Sequence, residues 1–180
     1  MIDTSPDIKL QFKKNNIKNI DAVIYSHEHA DQTAGIFELR PFVWKNKKKI
    51  KIYGSKKTIS RLKNHYTYCF LPRFGYKPIL SANTIKNNFK ISKKKKFIHI
   101  KAFDVQHGMI KSTAYVFKNI AYISDCNHIP SKYFKFLRNL DYLIIDCLKR
   151  NKHPSHFNFS EAVDLSKKIK AKKTILTNLH

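Results

Sequence analysis

Short apolar runs alternate with amphipathic stretches along this chain. The run IDAVIYS (20–26) is β-branched and aromatic and reads as a buried strand. Residues 31–39 after it have helical spacing. IKIYG (50–54) is a second short strand, and Gly54-Ser55 opens a helix near 56–66. The aromatic segment 66–77, with Pro72 and Gly75, reads as an ordered excursion. FIHIKAFDV (97–105) alternates as a strand does, and 113–119 with 120–125 form a hairpin turning at Asn119. A short helix starts at Pro130-Ser131 and runs through Leu140. DYLIIDC (141–147) is another buried strand. Ser160-Glu161 opens a helix whose C-terminal lysines suit its dipole, and KTILTN (173–178) closes the pattern. Strands alternating with helices predict an α/β class.

Length changes this picture little: 180 residues without an internal repeat or a Gly/Ser linker predict a single domain over 1–180. With 42% apolar residues the chain can build a core, which excludes a disordered polyelectrolyte. No stretch approaches the roughly 20 apolar residues of a membrane span, and no signal-peptide centre is present, so no membrane partner and a cytoplasmic location are expected. Three scattered cysteines (Cys69, Cys126, Cys147) are no disulfide framework.

Charge changes the picture more. There are 36 Lys and Arg against 12 Asp and Glu, for a net charge of +24, and only five of the cations are Arg. Such a field attracts phosphates and nucleic acid. Abundant Lys, Asn and Ile also follow from an AT-rich coding sequence, so charge by itself does not name a partner.

The chemistry concentrates in Ser26-His27-Glu28-His29-Ala30-Asp31-Gln32, between the first strand and a helix. Two histidines at i and i+2 and an acid at i+4 converge on one cation only from a tight loop, and a strand end supplies one. Imidazole suits zinc, iron, manganese or nickel, and the acid compensates charge.

These residues resemble the metallo-β-lactamase superfamily, whose signature is HxHxDH. Ile2-Asp3-Thr4-Ser5-Pro6-Asp7 and His29-Ala30-Asp31-Gln32-Thr33-Ala34-Gly35-Ile36 are similar to the branch that holds the cyclic-phosphate phosphodiesterase of the carbon–phosphorus lyase pathway; its relatives include the tRNA 3′-processing endonucleases. The resemblance implies an αββα sandwich, here without the usual N-terminal strands and C-terminal closing segment. It also implies further ligands past later strands, and Val105-Gln106-His107, Ile123-Ser124-Asp125 and Leu179-His180 stand in the expected order. By that similarity His27, His29 and His107 hold one metal, Asp31 and His180 a second, and Asp125 bridges. Gln32 replaces the signature's last His; an amide is a poor ligand, which weakens the second site or shifts it to a harder ion. The cofactor expected is one or two divalent ions, zinc or manganese first and iron next.

The same resemblance gives His156 a phosphate-binding or proton-donating role, beside Asp31 as an orienter of water. His65, His99 and His128 match no position, and His99 reads as structural. The implied reaction is phosphodiester hydrolysis by activated water, with a small cyclic phosphate as substrate. Two alternatives stand: an RNA or DNA nuclease of the tRNA 3′-processing type, and a shortened, weakly active or non-catalytic relative. A homodimer is the oligomer such a family implies.

Overall fold

The apolar run after Ile20 becomes a strand because all its side chains can be buried. In a computed structural model, which describes residues 1–180 apart from Phe74 and Lys94, the chain divides into two compact units, Met1–Ile85 and Lys86–His180. Phe74, in the expected excursion, and Lys94, in a lysine run, lie outside the described residues.

The first unit opens with helix α1 (Ile8–Lys14), then strand β1 (Ala22–Ile24), buried along its whole length. Residues expected as one helix over 31–39 divide instead into α2 (Ala30–Thr33), a 3-10 segment (Ala34–Leu39) and α3 (Arg40–Asn46). Gly35 is a reason for the break. A Cβ there would fall on the Ser5 carbonyl oxygen and lie 2.5 Å from Ile8 Cγ2, so the chain passes the N-terminal segment at a distance only glycine allows. Pro41, lacking an N–H, sits in the first turn of α3, where none is needed.

Strand β2 (Ile50–Gly54) follows, alternating buried Ile50 and Ile52 with exposed Lys51, then α4 (Lys56–His65), α5 (Thr67–Phe70) and β3 (Leu80–Thr84). Ser55 caps α4 by accepting from the Thr58 N–H at 3.1 Å. The order is β1-β2-β3, all parallel. Val23, Tyr25, Ile36, Leu39, Ile52 and Leu62 form the centre of this unit's core. Gly35→Ala is expected to cost about 1–3 kcal/mol, because it drives a methyl into backbone. Thermal denaturation should show a fall of several degrees; an unchanged midpoint would show that the N-terminal segment can move aside.

The second unit is one six-stranded sheet, β4 (Asn88–Lys93), β5 (Lys96–His107), β6 (Ile110–Phe117), β7 (Ile120–Ile123), β8 (Tyr142–Asp146) and β9 (Lys173–Thr177), in that spatial order. The first four strands are antiparallel neighbours. From β7 onward pairing is parallel, and the crossovers carry a 3-10 segment (Ser131–Phe136) and helix α6 (Phe159–Ile169). The hairpin turns at Lys118-Asn119, with Lys118 at φ 52°. Helix α6 starts earlier than the expected Ser160-Glu161. Asn158 is its cap and closes a capping box with Glu161, each side chain bonding the other's backbone N–H at 2.9–3.0 Å. Phe103, Ile123, Leu137, Leu143, Ile145 and Ala162 centre the core.

Three consequences bear on the site. The parallel strands β7, β8 and β9 end together, so the loops after Ile123, Asp146 and Thr177 share one edge. The three cysteines are buried and unpaired, and burial pushes the Cys69 thiol up to about 12 and the Cys126 thiol up as well, so they are packing residues. Among the described residues, no helix is long and apolar enough to cross a membrane.

Candidate metal centre

In the first unit the strand-end loop carries the HEHADQ motif. Asp3, from the segment beside β1, accepts the Ser26 N–H at 2.7 Å and fixes the exit from the strand. The Thr4 N–H donates to the Gln32 carbonyl at 2.7 Å, and the Gly35 N–H to the Thr4 carbonyl at 3.0 Å. The IDTSPD element is therefore the brace of the loop. His27 is buried, with Nδ1 3.0 Å from Ser26 Oγ; its ring meets that of exposed His29 edge-on, centroids 4.5 Å apart. Glu28, between them, makes a 2.7 Å ion pair with Lys57 at the start of α4. Asp31 is exposed in the first turn of α2. The Gln32 amide nitrogen donates to Asp31 Oδ2 at 3.0 Å, so Gln32 orients that carboxylate.

In the second unit, one ligand atom each of His107, Asp125 and His156 lie within 4.8 Å of one another. His107 ends β5 and is buried. Its Nδ1 is 2.8 Å from the Ser155 carbonyl oxygen, which can only accept, so Nδ1 carries the proton and Nε2 keeps its lone pair. Gly108, at φ 56°, makes this approach: a Cβ there would sit 2.8 Å from Ser155 Cβ. Asn127 stitches the same corner, accepting the Gly108 N–H and donating to the Pro154 carbonyl, both at 3.0 Å.

Asp125 follows β7, is 2% exposed and has φ 51°, a left-handed conformation that a short acidic side chain tolerates better than most. His156 is held in its turn. Its Nδ1 lies 3.0–3.1 Å from both oxygens of Asp146, the last residue of β8. A proton on Nδ1 shared with that carboxylate leaves Nε2 for the cluster, and the His107 and His156 rings stand edge-on at 4.7 Å.

Asp146 is the hub. Fully buried, it also accepts the Phe157 N–H at 3.0 Å, the Cys126 N–H at 3.3 Å and the Asn178 side-chain amide at 2.7 Å. Burial pushes its carboxyl above the usual range, against the downward pull of His156 and the other donors. Sequence reasoning gave Asp146 no role. The available signal is its place at the end of a buried strand and ahead of a cysteine, as Asp125 is ahead of Cys126.

The donor set fits a divalent ion: two imidazoles with tautomers set by their own partners and one carboxylate, gathered at strand ends. Of the residues expected as ligands, the second unit brings His107 and Asp125 together, and it adds His156. His180 is not in this group; it is exposed, and its N–H donates to the Leu148 carbonyl at 2.9 Å.

The family model for the beta-lactamase superfamily domain matches residues 1–178. The chain belongs to this superfamily. Its fold is that of the metallo-β-lactamase hydrolases. The chain is 30% identical to the crystal structure of a diphosphatase from the PhnP family, with a TM-score of 0.88 over 99% of this chain and 67% of that one. It is 19% identical to the short form of human tRNase Z, with a TM-score of 0.73 over 99% of this chain and 80% of that one, a likeness of fold. It is also 25% identical, over 183 residues, to the octanoyltransferase of Porphyromonas gingivalis (strain ATCC BAA-308 / W83). That match takes in 99% of this chain and 36% of that protein, so the chain spans about a third of the length of the curated relative it matches.

Proposed function

We propose that the chain is a metal-dependent hydrolase of phosphodiesters, with a small cyclic phosphate as its substrate. The observation that carries this reading is the trio His107, Asp125 and His156, with the tautomer of each imidazole set from behind, in a chain 30% identical to a PhnP-family diphosphatase. His107, Asp125 and His156 would hold the ion; zinc or manganese suits this set. A divalent ion there supplies Lewis-acid neutralisation of phosphoryl charge and lowers the pKa of water.

The residues do the rest. Asp125 orients water toward phosphorus. As the water oxygen bonds to phosphorus, one P–O ester bond breaks and the proton the water gives up passes to the leaving alkoxide, while Asp146 holds His156 Nδ1–H and keeps Nε2 directed at the ion's site. The lysine-rich surface draws the dianionic or monoanionic substrate in.

The net charge of +24 favours a second reading, hydrolysis of RNA or single-stranded DNA. We take no acyl-transfer activity from the Porphyromonas gingivalis relative, of which the chain covers 36%. Elemental analysis of protein purified without added metal should find a divalent ion. A screen of cyclic phosphates, an aryl phosphodiester and short RNA should show turnover of a small cyclic phosphate above the others. Protein that carries no ion, takes none up and turns over nothing would end both readings; turnover of RNA alone would select the second.

A further inference from the structure

We propose that the ribbon of β4 and β5, continued by the 3-10 segment Ser131–Phe136, is a docking surface for single-stranded nucleic acid. The register pairs Ser92 with Phe97, Lys90 with His99 and Asn88 with Lys101. Directly opposed residues of an antiparallel pair share a face, so one face presents an aromatic ring, an imidazole and two lysines in succession. Phe97 is 58% exposed. It is held upright: the His99 ring meets it edge-on at 4.9 Å, and Lys90 Nζ lies 5.9 Å from its centroid.

Further along β5 the same face passes under the 3-10 segment, where buried Phe103 stacks on Tyr133 at 4.7 Å. At that boundary Lys101 Nζ is 5.2 Å from the Phe136 ring, and Lys135 Nζ is 5.3 Å from the same ring. The result is a row running Phe97, His99, Lys101, Phe136, Lys135, with each ring beside a cation.

The acids are missing from these stretches. Residues 86–103 hold seven Lys and no Asp or Glu, and residues 126–140 hold Lys132, Lys135 and Arg138 with none. A face that is merely solvated interleaves both signs; this one is complementary to a polyanion. The exposed ring narrows the choice of polyanion. A single strand offers base faces for stacking and phosphates for the lysines, whereas a duplex keeps its base faces covered.

The test is fluorescence-anisotropy titration of the full chain with labelled 12-nucleotide oligo-U and oligo-dT and with a duplex of equal length, over a range of salt. Phe97→Ala removes no core contact and is expected to weaken single-strand binding about 5- to 100-fold. Lys101→Ala with Lys135→Ala should lower the slope of log affinity against log salt by roughly 0.7 per lost phosphate contact. Lys13→Ala with Lys14→Ala, on exposed α1, is the control for bulk charge. Loss in both oligonucleotide arms, or in the RNA arm alone, supports the surface. Unchanged binding by Phe97→Ala, an equal loss from the α1 pair, or a duplex bound as tightly would overturn it. Because the readout is binding, a chain that holds no ion and hydrolyses nothing can still pass.

Discussion

Asp146→Ala should destabilise the protein by on the order of 3–5 kcal/mol, the largest single-residue effect expected outside the core. The carboxylate receives two backbone N–H groups, one side-chain amide and one imidazole N–H, from Cys126, Phe157, Asn178 and His156. Burial raises its pKa, so the charge itself costs free energy in the fold. The net worth of the ion is therefore small. What the substitution forfeits is different: donors from three separate loops lose their common, fully buried acceptor, at about 1–3 kcal/mol for each one left unsatisfied. Some of that is recovered as loops relax, which sets the total below the sum. At roughly 2–4 °C per kcal/mol for a chain this size, the thermal midpoint should fall by about 10 °C. Asp146→Asn keeps the volume but turns an NH2 group toward donors, so it should recover little of the loss. If Asp146→Ala melts within a degree or two of the parent protein, the carboxylate is no hub and the orientation of His156 has another source.

The contrast between Asp125 and Asp146 shows where the sequence is legible. Asp146 ends β8, Asp125 lies two residues past β7, and both precede a cysteine, in IIDC and ISDC. Asp125 is legible because a family pattern asks for an acid there; Asp146 is not, because its partners arrive from residues 126, 156–157 and 178, which local pattern cannot bring together. β1 and the HEHADQ loop were readable because their signals are local: an apolar run, then ligand types at short spacing. β3 (LSANT) and β4 (NFKISK) were not. Their composition is polar, and they exist because β2 and β5 offer edges to pair with, a tertiary effect that overrides propensity. The helix expected over 31–39 broke for a similar reason: Gly35 answers to Ser5 and Ile8, 27 or more residues away. His156 was legible as a functional residue through the resemblance, while its seat beside His107 and Asp125 is a property of loops converging at one sheet edge. Alternation within its strand reads His99 as structural, yet it lies exposed on the ribbon beside Phe97.

His107→Ala should abolish metal retention while leaving the chain folded. The two effects separate because His107 makes different bonds with its two nitrogens. Nδ1 donates to the Ser155 carbonyl, and losing one such bond costs about 1 kcal/mol. That carbonyl sits at a corner also held by Asn127, so the loop keeps its path. Nε2 is the atom offered to the ion, and nothing else at the end of β5 can replace it. Altering a residue that merely orients a ligand costs 10–100-fold in metal affinity, so removing a ligand should cost more than about 100-fold. His65→Ala, at the exposed end of α4, should leave metal content unchanged. Metal per chain after extensive dialysis, read by elemental analysis beside a far-ultraviolet circular dichroism spectrum, checks both halves. Hydrolysis of the preferred phosphodiester should fall with the metal and not return on adding excess ion at concentrations that saturate the parent protein. A His107→Ala protein that folds and still carries the parent's complement of ion would place the cation elsewhere, and the trio at the edge of the second sheet would then be a hydrogen-bonded corner with no part in catalysis.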